Sequence, residues 1–216
     1  MLGCKILKSN YNTHMSHVKY MIPPLFIVDI HALYGGKTLA GTGAGKSFFA
    51  KLLEATGELN QGTIVGFDLR KTDLVTASFF RVSFKAFRDH ARSSTGVYPV
   101  HICTNGPTLE EVKAYADDVR DAFIFGDLDD KHELRTPFIV GPLEEKQART
   151  LMYLEDMGEA DAATMYTRHP EVPPLTSSAA WSNRLASLAN KGLVVERSEG
   201  RSKIYRPIAK GIRYGL

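Results

Sequence analysis

The sequence predicts an α/β fold of the P-loop NTPase type, with a mostly parallel sheet, followed by a smaller C-terminal α+β module. Short apolar runs alternate with helical segments over the first two thirds of the chain, and a glycine-rich segment at residues 40–47 opens one of the helices. Three further helical segments precede a hairpin near the C-terminus. We expect two domains, residues 1–142 and 143–216, with residues 1–20 as an irregular arm.

Short apolar runs predict the strands of the first domain, and apolar residues at helical spacing predict its helices. We expect strands at 25–30, 37–40, 63–67, 98–103, 122–125 and 137–140, and helices at about 46–55, 77–92 and 108–121. In the last helix, Thr108 and Glu111 have the spacing of a capping box, which predicts that the helix starts there. The alternation predicts a parallel sheet with helices on its faces.

Three helices and a hairpin are expected in the second domain. The helices are predicted at 144–157, at 160–167 and from Ser177 or Ser178 to Asn190, and the strands at 193–197 and 202–206. Trp181 and Leu185 begin the buried face of the third helix, and Gly192 suits its end. Three helices followed by a basic hairpin are typical of a winged helix, which is a variant of the helix-turn-helix.

The composition favours a globular protein over a disulfide-stabilised, zinc-binding or membrane-spanning one. The chain has 216 residues, of which 44% are hydrophobic and 24% charged, as in ordinary globular proteins. Its two cysteines match neither a zinc site nor a disulfide framework, and no apolar run approaches the roughly 18–20 residues of a membrane span. The N-terminus also lacks the organisation of a signal peptide, so we expect a cytoplasmic protein without a membrane segment.

The net charge of +3 is unevenly distributed along the chain. Residues 176–216 contain eight Lys or Arg against two Asp or Glu, a net charge of +6, whereas the remainder carries −3. A basic segment attached to a mildly acidic body indicates a polyanionic partner such as double-stranded DNA. The alternative is a basic surface that is merely solvated.

Residues 40–47 have the spacing of a phosphate-binding loop. In such a loop the backbone N–H groups surround the phosphates, Lys46 reaches the terminal phosphates, and the Ser47 hydroxyl binds Mg²⁺. This predicts ATP and Mg²⁺ as cofactors. The predicted cofactor-binding residues are Gly41, Thr42, Gly43, Ala44, Gly45, Lys46, Ser47 and Phe48. The alternative is a glycine-rich turn that begins a helix and binds nothing.

Hydrolysis of ATP would need further polar groups at the ends of the strands. Asp68 follows a predicted strand and is the first candidate to hold Mg²⁺ beside Ser47, and Asp127 is the second. Asn105 is a candidate sensor of the γ-phosphate. The usual apolar run followed by Asp-Glu is absent. The alternatives are a solvated strand-end residue for Asp68 and a capping role for Asn105.

Parts of the first domain resemble the HerA/FtsK-type DNA-pumping ATPases. GTGAGKSFFAK resembles their phosphate loop, IVGFDLRKTDL their next strand, and FRDHARSSTGVYPVHICTNGP a later helix and strand. Ala91, Arg92 and Thr104 match that later pattern, and Asn105 stands where a glutamine is expected. The resemblance implies an ATP-driven motor for DNA transfer, translocation or packaging that works as a ring-shaped homo-oligomer.

The segment LASLANKGLVVERSEGRSKIYRPIAKG resembles the winged-helix modules of MarR-like and ArsR-like transcription regulators. If the module binds DNA, the third helix would offer side chains to a groove and the hairpin would contact phosphates. The helix residues are Ser182, Asn183, Arg184, Ser187 and Asn190, and the hairpin residues are Arg197, Arg201 and Lys203. The alternative is a module that docks onto another protein.

Three functions are therefore compatible with the sequence. The first is a DNA-transfer or packaging ATPase of a mobile element or virus, and the second is a winged-helix transcription regulator whose P-loop domain senses a nucleotide or is hydrolytically degenerate. The third, a small-molecule phosphotransferase, fits the basic C-terminal segment least well.

Overall fold

A computed structural model describes residues 25–103, 105–171 and 177–214 of the chain. Two features expected from the sequence lie outside the described residues: the irregular arm at 1–20 and Thr104. None of the helices that the structure describes has both the length and the apolar character needed to cross a membrane.

The described residues form nine strands and eight α-helices, with one π-helical stretch. In chain order they are β1 (Leu25–Asp29), α1 (Ile30–Tyr34), β2 (Thr38–Leu39), α2 (Thr42–Thr56), β3 (Ile64–Asp68), β4 (Leu74–Val75), α3 (Ala77–Phe80), the π-helical Arg81–Lys85, α4 (Ala86–Ser94), β5 (Tyr98–Ile102), α5 (Gly106–Val119), β6 (Phe123–Leu128), β7 (Leu134–Val140), α6 (Glu145–Met157), α7 (Ala162–Arg168), α8 (Ala179–Asn190), β8 (Val194–Glu199) and β9 (Ser202–Pro207).

Five of the strands form the main sheet, in the order β1-β3-β5-β6-β7. The first four are parallel, and β7 runs antiparallel to β6. The predicted α/β class with a mostly parallel sheet is therefore confirmed. The short strands β2 and β4 pair with each other outside this sheet.

The two faces of the main sheet carry different layers. Successive parallel strands are added in one direction, so crossovers of one hand place α2, α3, α4 and α5 on the same face. These helices share a core with side chains such as Val65 and Phe67 of β3. The opposite face, including Ile64 and Ile124, packs against α6, α7 and α8. The segments on either side of the boundary expected near residue 142 thus share one hydrophobic core.

Several elements of the first segment differ from their predicted bounds. The strand predicted to reach Ile30 ends at Asp29, whose side chain accepts a hydrogen bond from the Ala32 N–H (3.0 Å) and begins a short helix. The strand predicted at 37–40 has only two residues. The helix predicted at 77–92 extends over 77–94 and contains the π-helical turn.

The predicted capping box of α5 is wrong. The helix starts at Gly106, and Asn105 caps it by accepting a hydrogen bond from the Thr108 N–H at 2.9 Å. The Thr108 hydroxyl accepts from the Val75 N–H (3.1 Å), and the Glu111 carboxylate accepts from the Ala77 N–H (2.8 Å). Both side chains therefore satisfy the backbone of a neighbouring segment.

The C-terminal segment forms three helices and the β8–β9 hairpin. Between α6 and α7, Ala160 pairs with Tyr205 of β9 through two backbone hydrogen bonds of 3.0 and 2.9 Å, which adds a third strand position beside the hairpin. Arg88 attaches the C-terminal segment to the α/β part of the chain from β1 to β7 (the body). Its buried guanidinium lies 2.6 Å from the Asp121 carboxylate and 3.1 Å from the Lys191 carbonyl oxygen.

Candidate functional site

The glycine-rich segment is helical in the structure. We expected the helix to begin near Lys46, but α2 begins at Thr42, with Gly41 as its N-cap at φ 84°. The Gly45 N–H donates to the Gly41 carbonyl oxygen (3.1 Å), as in any helical turn. A phosphate-wrapping loop needs successive N–H groups that face a central anion and are not used within a helix. Here only the first turn of α2 has such groups.

Gly45 and Phe48 contribute to packing in the body. A Cβ atom at Gly45 would lie 2.6 Å from Val82 Cγ2 and 3.1 Å from the Phe79 carbonyl oxygen, so the glycine allows α2 to approach the α3 segment closely. Phe48 is buried, with its ring 5.6 Å from that of Phe79 and 5.5 Å from that of Tyr34. Both positions of the motif therefore have a structural role that needs no ligand.

Lys46 and Ser47 are exposed on the first turns of α2. The Ser47 hydroxyl donates a long hydrogen bond (3.4 Å) to the Gly43 carbonyl oxygen. Lys46 forms no ion pair with any residue that the structure describes. The strand leading into α2 is the two-residue β2, which pairs only with β4, so this end of α2 does not continue a strand of the main sheet.

The two predicted metal-side acids are bound to other groups. Asp68 ends β3 and is 8% exposed, and its carboxylate accepts from the Arg70 guanidinium at 2.7 and 3.0 Å. Burial acts to raise the pKa of Asp68, but the hydrogen bonds from Arg70 outweigh it and hold the pKa below its ordinary value. Asp127 accepts from the Leu128 N–H at 2.8 Å. Neither acid forms a hydrogen bond with Ser47 in the described structure.

Asn105 is fully engaged in structural hydrogen bonds. In addition to capping α5, its amide group donates to the carbonyl oxygens of Thr72 (2.9 Å) and Asp73 (3.1 Å). The described residues contain no group of three or more His, Cys, Asp or Glu side chains that could hold a metal ion. The binding of ATP and Mg²⁺ stays a prediction, and the geometry of α2, Asp68 and Asn105 gives it no support.

Of the five predicted DNA-contacting residues on α8, two are open. Ser182 and Asn183 are exposed and make no side-chain hydrogen bond within the described residues. The other three have partners. Arg184 binds the Glu171 carboxylate and lies 4.9 Å above the Trp181 ring, the Ser187 hydroxyl accepts from Gln147 (2.8 Å), and the Asn190 side-chain oxygen accepts from Arg92.

The predicted basic residues of the hairpin are exposed, and two of the three are paired. Arg197 lies 2.6 Å from the Glu199 carboxylate and 3.2 Å from that of Glu159, and Lys203 lies 2.7 Å from that of Glu196. Arg201 stands at the turn with no ion pair among the described residues. Exposed ion pairs of this kind contribute little free energy, so a phosphate can compete for these cations.

Two cavities were not expected from the sequence. A cavity of about 610 Å³ lies between α5, β7 and the start of α6, and its walls are mostly apolar, with the Lys113–Asp117 pair at its rim. A polar cleft of about 460 Å³ separates the end of α4 from α8 and the hairpin, and it contains Arg92, Asn190 and Lys203. The cleft brings together residues about a hundred positions apart, so no local pattern could have indicated it.

Comparison with known proteins identifies no relative: no family model, curated protein or solved structure matches this chain.

Proposed function

We propose that this chain is a DNA-binding protein of the transcription-regulator type, in which residues 143–214 form a winged helix held on an α/β body. The observation that carries the proposal is the order of the C-terminal elements. Helix α6 is followed by the strand position at Ala160, then by α7, α8 and the β8–β9 hairpin. A winged helix has this order, with its last helix placed in the major groove and its hairpin on the backbone.

The open surface of α8 suits a DNA groove. Its exposed positions carry short side chains, with Ala179, Ser182 and Asn183 in the first two turns. Asparagine can bond to adenine, serine can bond to several base edges, and alanine can contact a thymine methyl group. The α/β body contacts the other end of α8, near Asn190, so it leaves this surface uncovered.

The module keeps a small positive net charge, which favours a polyanionic partner. Residues 143–175 contain seven Asp or Glu against three Lys or Arg, which balances part of the +6 of residues 176–216. Two of these acids, Glu159 and Glu171, pair with Arg197 and Arg184. Arg201 at the hairpin turn is left to contact phosphate, and such contacts make the affinity fall steeply with salt.

The geometry of α2 favours a regulator over a DNA-pumping ATPase. A motor must bind and hydrolyse ATP, whereas the segment that would hold the phosphates is helical from Thr42 and its candidate acid is bound to Arg70. Nucleotide sensing, assembly into a homo-oligomer and a cytoplasmic location stay predictions.

Fluorescence anisotropy with a labelled pool of random duplexes tests the proposal. We expect binding of the wild type with an affinity that decreases with salt, and selection from the pool should enrich a sequence. Arg201→Ala should weaken binding to all duplexes and lower the salt slope by about one, whereas Asn183→Ala should relax the sequence preference. Arg81→Ala on the π-helical stretch is the matched control, since this exposed arginine belongs to the layer on the other face of the main sheet. Failure to bind any duplex at low salt would contradict the proposal.

A further inference from the structure

The polar cleft beside α8 is built by both parts of the molecule. One wall is the C-terminal end of α4 with the turn after it, residues 92–96, and Gln61 lies beside it. The other wall contains Asn190 of α8 with Ser198 and Lys203 of the hairpin. The volume of about 460 Å³ is within the range of small-molecule sites.

Cations outnumber carboxylates in this region. Arg92 and Lys203 line the cleft, and Glu196 is its one acidic residue among those described. An adjoining cavity of about 430 Å³ shares Gln61 and Glu196 with the cleft and adds Arg197 and Arg206 to its walls. Lys203 is bound to Glu196, and Arg197 to Glu159 and Glu199, whereas Arg92 has no carboxylate partner within the described chain.

Arg92 has an incomplete set of hydrogen bonds. One terminal nitrogen of its guanidinium donates to the Asn190 side-chain oxygen, while its Nε is buried and finds no acceptor among the described residues. Buried N–H groups are usually paired in folded proteins, and here the unpaired group belongs to a charged side chain that lines the cleft. Because the Asn190 oxygen accepts from Arg92, the amide nitrogen of Asn190 remains as a second donor.

The floor of the cleft holds the two walls at a fixed distance. The Tyr98 hydroxyl donates to the Glu196 carbonyl oxygen (3.3 Å) and accepts from the Glu196 N–H (3.1 Å), which attaches the edge of β8 to the sheet. Burial raises the pKa of Tyr98, and the charges of Arg206 and Arg92 act in the opposite direction. The guanidiniums of Arg206 and Arg92 are therefore close enough to the Tyr98 hydroxyl to oppose this rise in its pKa.

We propose that this cleft binds an anion of the phosphate type, with Arg92 as its main ligand and the amide of Asn190 and the ammonium of Lys203 as further donors. The anion is either a phosphoryl group of a small molecule or a backbone phosphate of DNA. An anion in the cleft would connect α4 of the body to α8 and the hairpin. Its binding would therefore reinforce the attachment of the DNA-binding elements to the body.

Calorimetric titration with pyrophosphate tests the site directly. The wild type should bind, and Arg92→Gln should weaken binding about tenfold or more, the effect of losing a charge-assisted hydrogen bond. Arg92→Lys should retain part of the affinity because it keeps the charge. Arg81→Gln, an exposed arginine on the π-helical stretch, is the matched control and should bind like the wild type. Thermal unfolding of each variant verifies that it folds.

A second titration with duplex DNA separates the two sources of the anion. If pyrophosphate binds and Arg92→Gln weakens that binding, the site takes a free phosphoryl compound. If pyrophosphate does not bind but Arg92→Gln weakens duplex binding and lowers the salt slope by about one, the site takes a DNA phosphate. If Arg92→Gln changes neither titration, the proposal is overturned. The pyrophosphate experiment requires no DNA, so its result stands apart from that of the proposed function.

Discussion

The two faces of the main sheet are covered by layers of different chemistry. On the face covered by α2 to α5, buried aromatic rings surround His101, whose ring stacks on Phe125 at 4.8 Å and lies 5.1 Å from that of Phe80. On the opposite face, mostly aliphatic side chains of α6 and α8, with Trp181 among them, form the centre of the contact, and polar groups form its edge. At that edge, Tyr98 binds Glu196 and Lys191 donates to the Arg120 carbonyl oxygen.

The difference between the two layers indicates which of them contributes most to the free energy of unfolding and which can bind a ligand. An interior of interlocked rings is closed to ligands, and every truncation in it leaves a void. The opposite layer has polar edges that are open to solvent, and the candidate cleft lies at one of them. We therefore expect the aromatic layer to dominate the free energy of unfolding, and the C-terminal layer to contain the residues that recognise DNA or an anion.

The largest expected effect is the truncation of a ring in the aromatic layer. Phe84 is fully buried, and its ring lies 5.3 Å from that of Phe67 and 5.6 Å from that of Phe80. Phe84→Ala should lower the free energy of unfolding by about 4 kcal/mol in urea denaturation. Phe26→Ala, at a ring that is 41% exposed, should lower it by less than about 1 kcal/mol. Equal losses would show that the aromatic layer is not the main source of stability.

The next effect concerns Arg88, which joins the two layers. Arg88→Met should lower the free energy of unfolding by about 3 kcal/mol, because it removes the guanidinium 2.6 Å from the buried Asp121 carboxylate and leaves only the Lys191 ammonium, at 3.9 Å. A double variant with Asp121→Asn should recover part of the loss. Arg135→Met breaks an exposed pair with Asp129 and should have an effect below about 1 kcal/mol. If Arg135→Met lowered the free energy of unfolding as much as Arg88→Met, the burial of the Arg88–Asp121 pair would not explain the loss.

His101 makes the aromatic layer sensitive to acid. Burial lowers the pKa of His101 to about 4, against about 6.5 for an ordinary histidine. Below pH 6.5 His101 is protonated in the unfolded chain, whereas in the folded chain it stays neutral down to about pH 4. The free energy of unfolding should therefore fall by about 3 kcal/mol over this interval. His101→Leu should remove that part of the pH dependence, as measured by urea denaturation at pH 7, 5.5 and 4.5. An unchanged slope in the variant would assign the effect to other groups.

The elements that could be predicted from the sequence are those whose formation depends on their own residues. β3 and β5 are apolar because they are buried on both faces, and α8 has its buried residues at helical spacing with a glycine after its end. The strand expected at 37–40 is present as β2, but its pairing with β4 and the π-helical turn involve contacts that a local pattern does not encode. The same limit applies to the sites. Ser182 and Asn183 could be placed on an exposed helical face, whereas the bond between Arg92 and Asn190 joins residues 98 positions apart.

The glycine-rich segment shows this limit most clearly, because its motif has two physical explanations. Spacing alone cannot tell a glycine that faces a phosphate from a glycine that allows two helices to touch. In the structure, Gly45 belongs to the second kind, since an added Cβ would clash with Val82, whereas Gly43 has open space around it. Alanine scanning of the two positions distinguishes the explanations.

The smallest expected effects are those at these two glycines, and they have opposite signs. Gly45→Ala should lower the free energy of unfolding by about 2 kcal/mol through overpacking against α3, and Gly43→Ala should raise it by about 0.5 kcal/mol through the higher helix propensity of alanine. A phosphate-binding loop would behave differently. Mg-ATP would then raise the unfolding temperature of the wild type, and both substitutions would abolish the increase. We expect no increase, because α2 is already helical at Thr42 and Gly45 is part of the packing rather than of a ligand site.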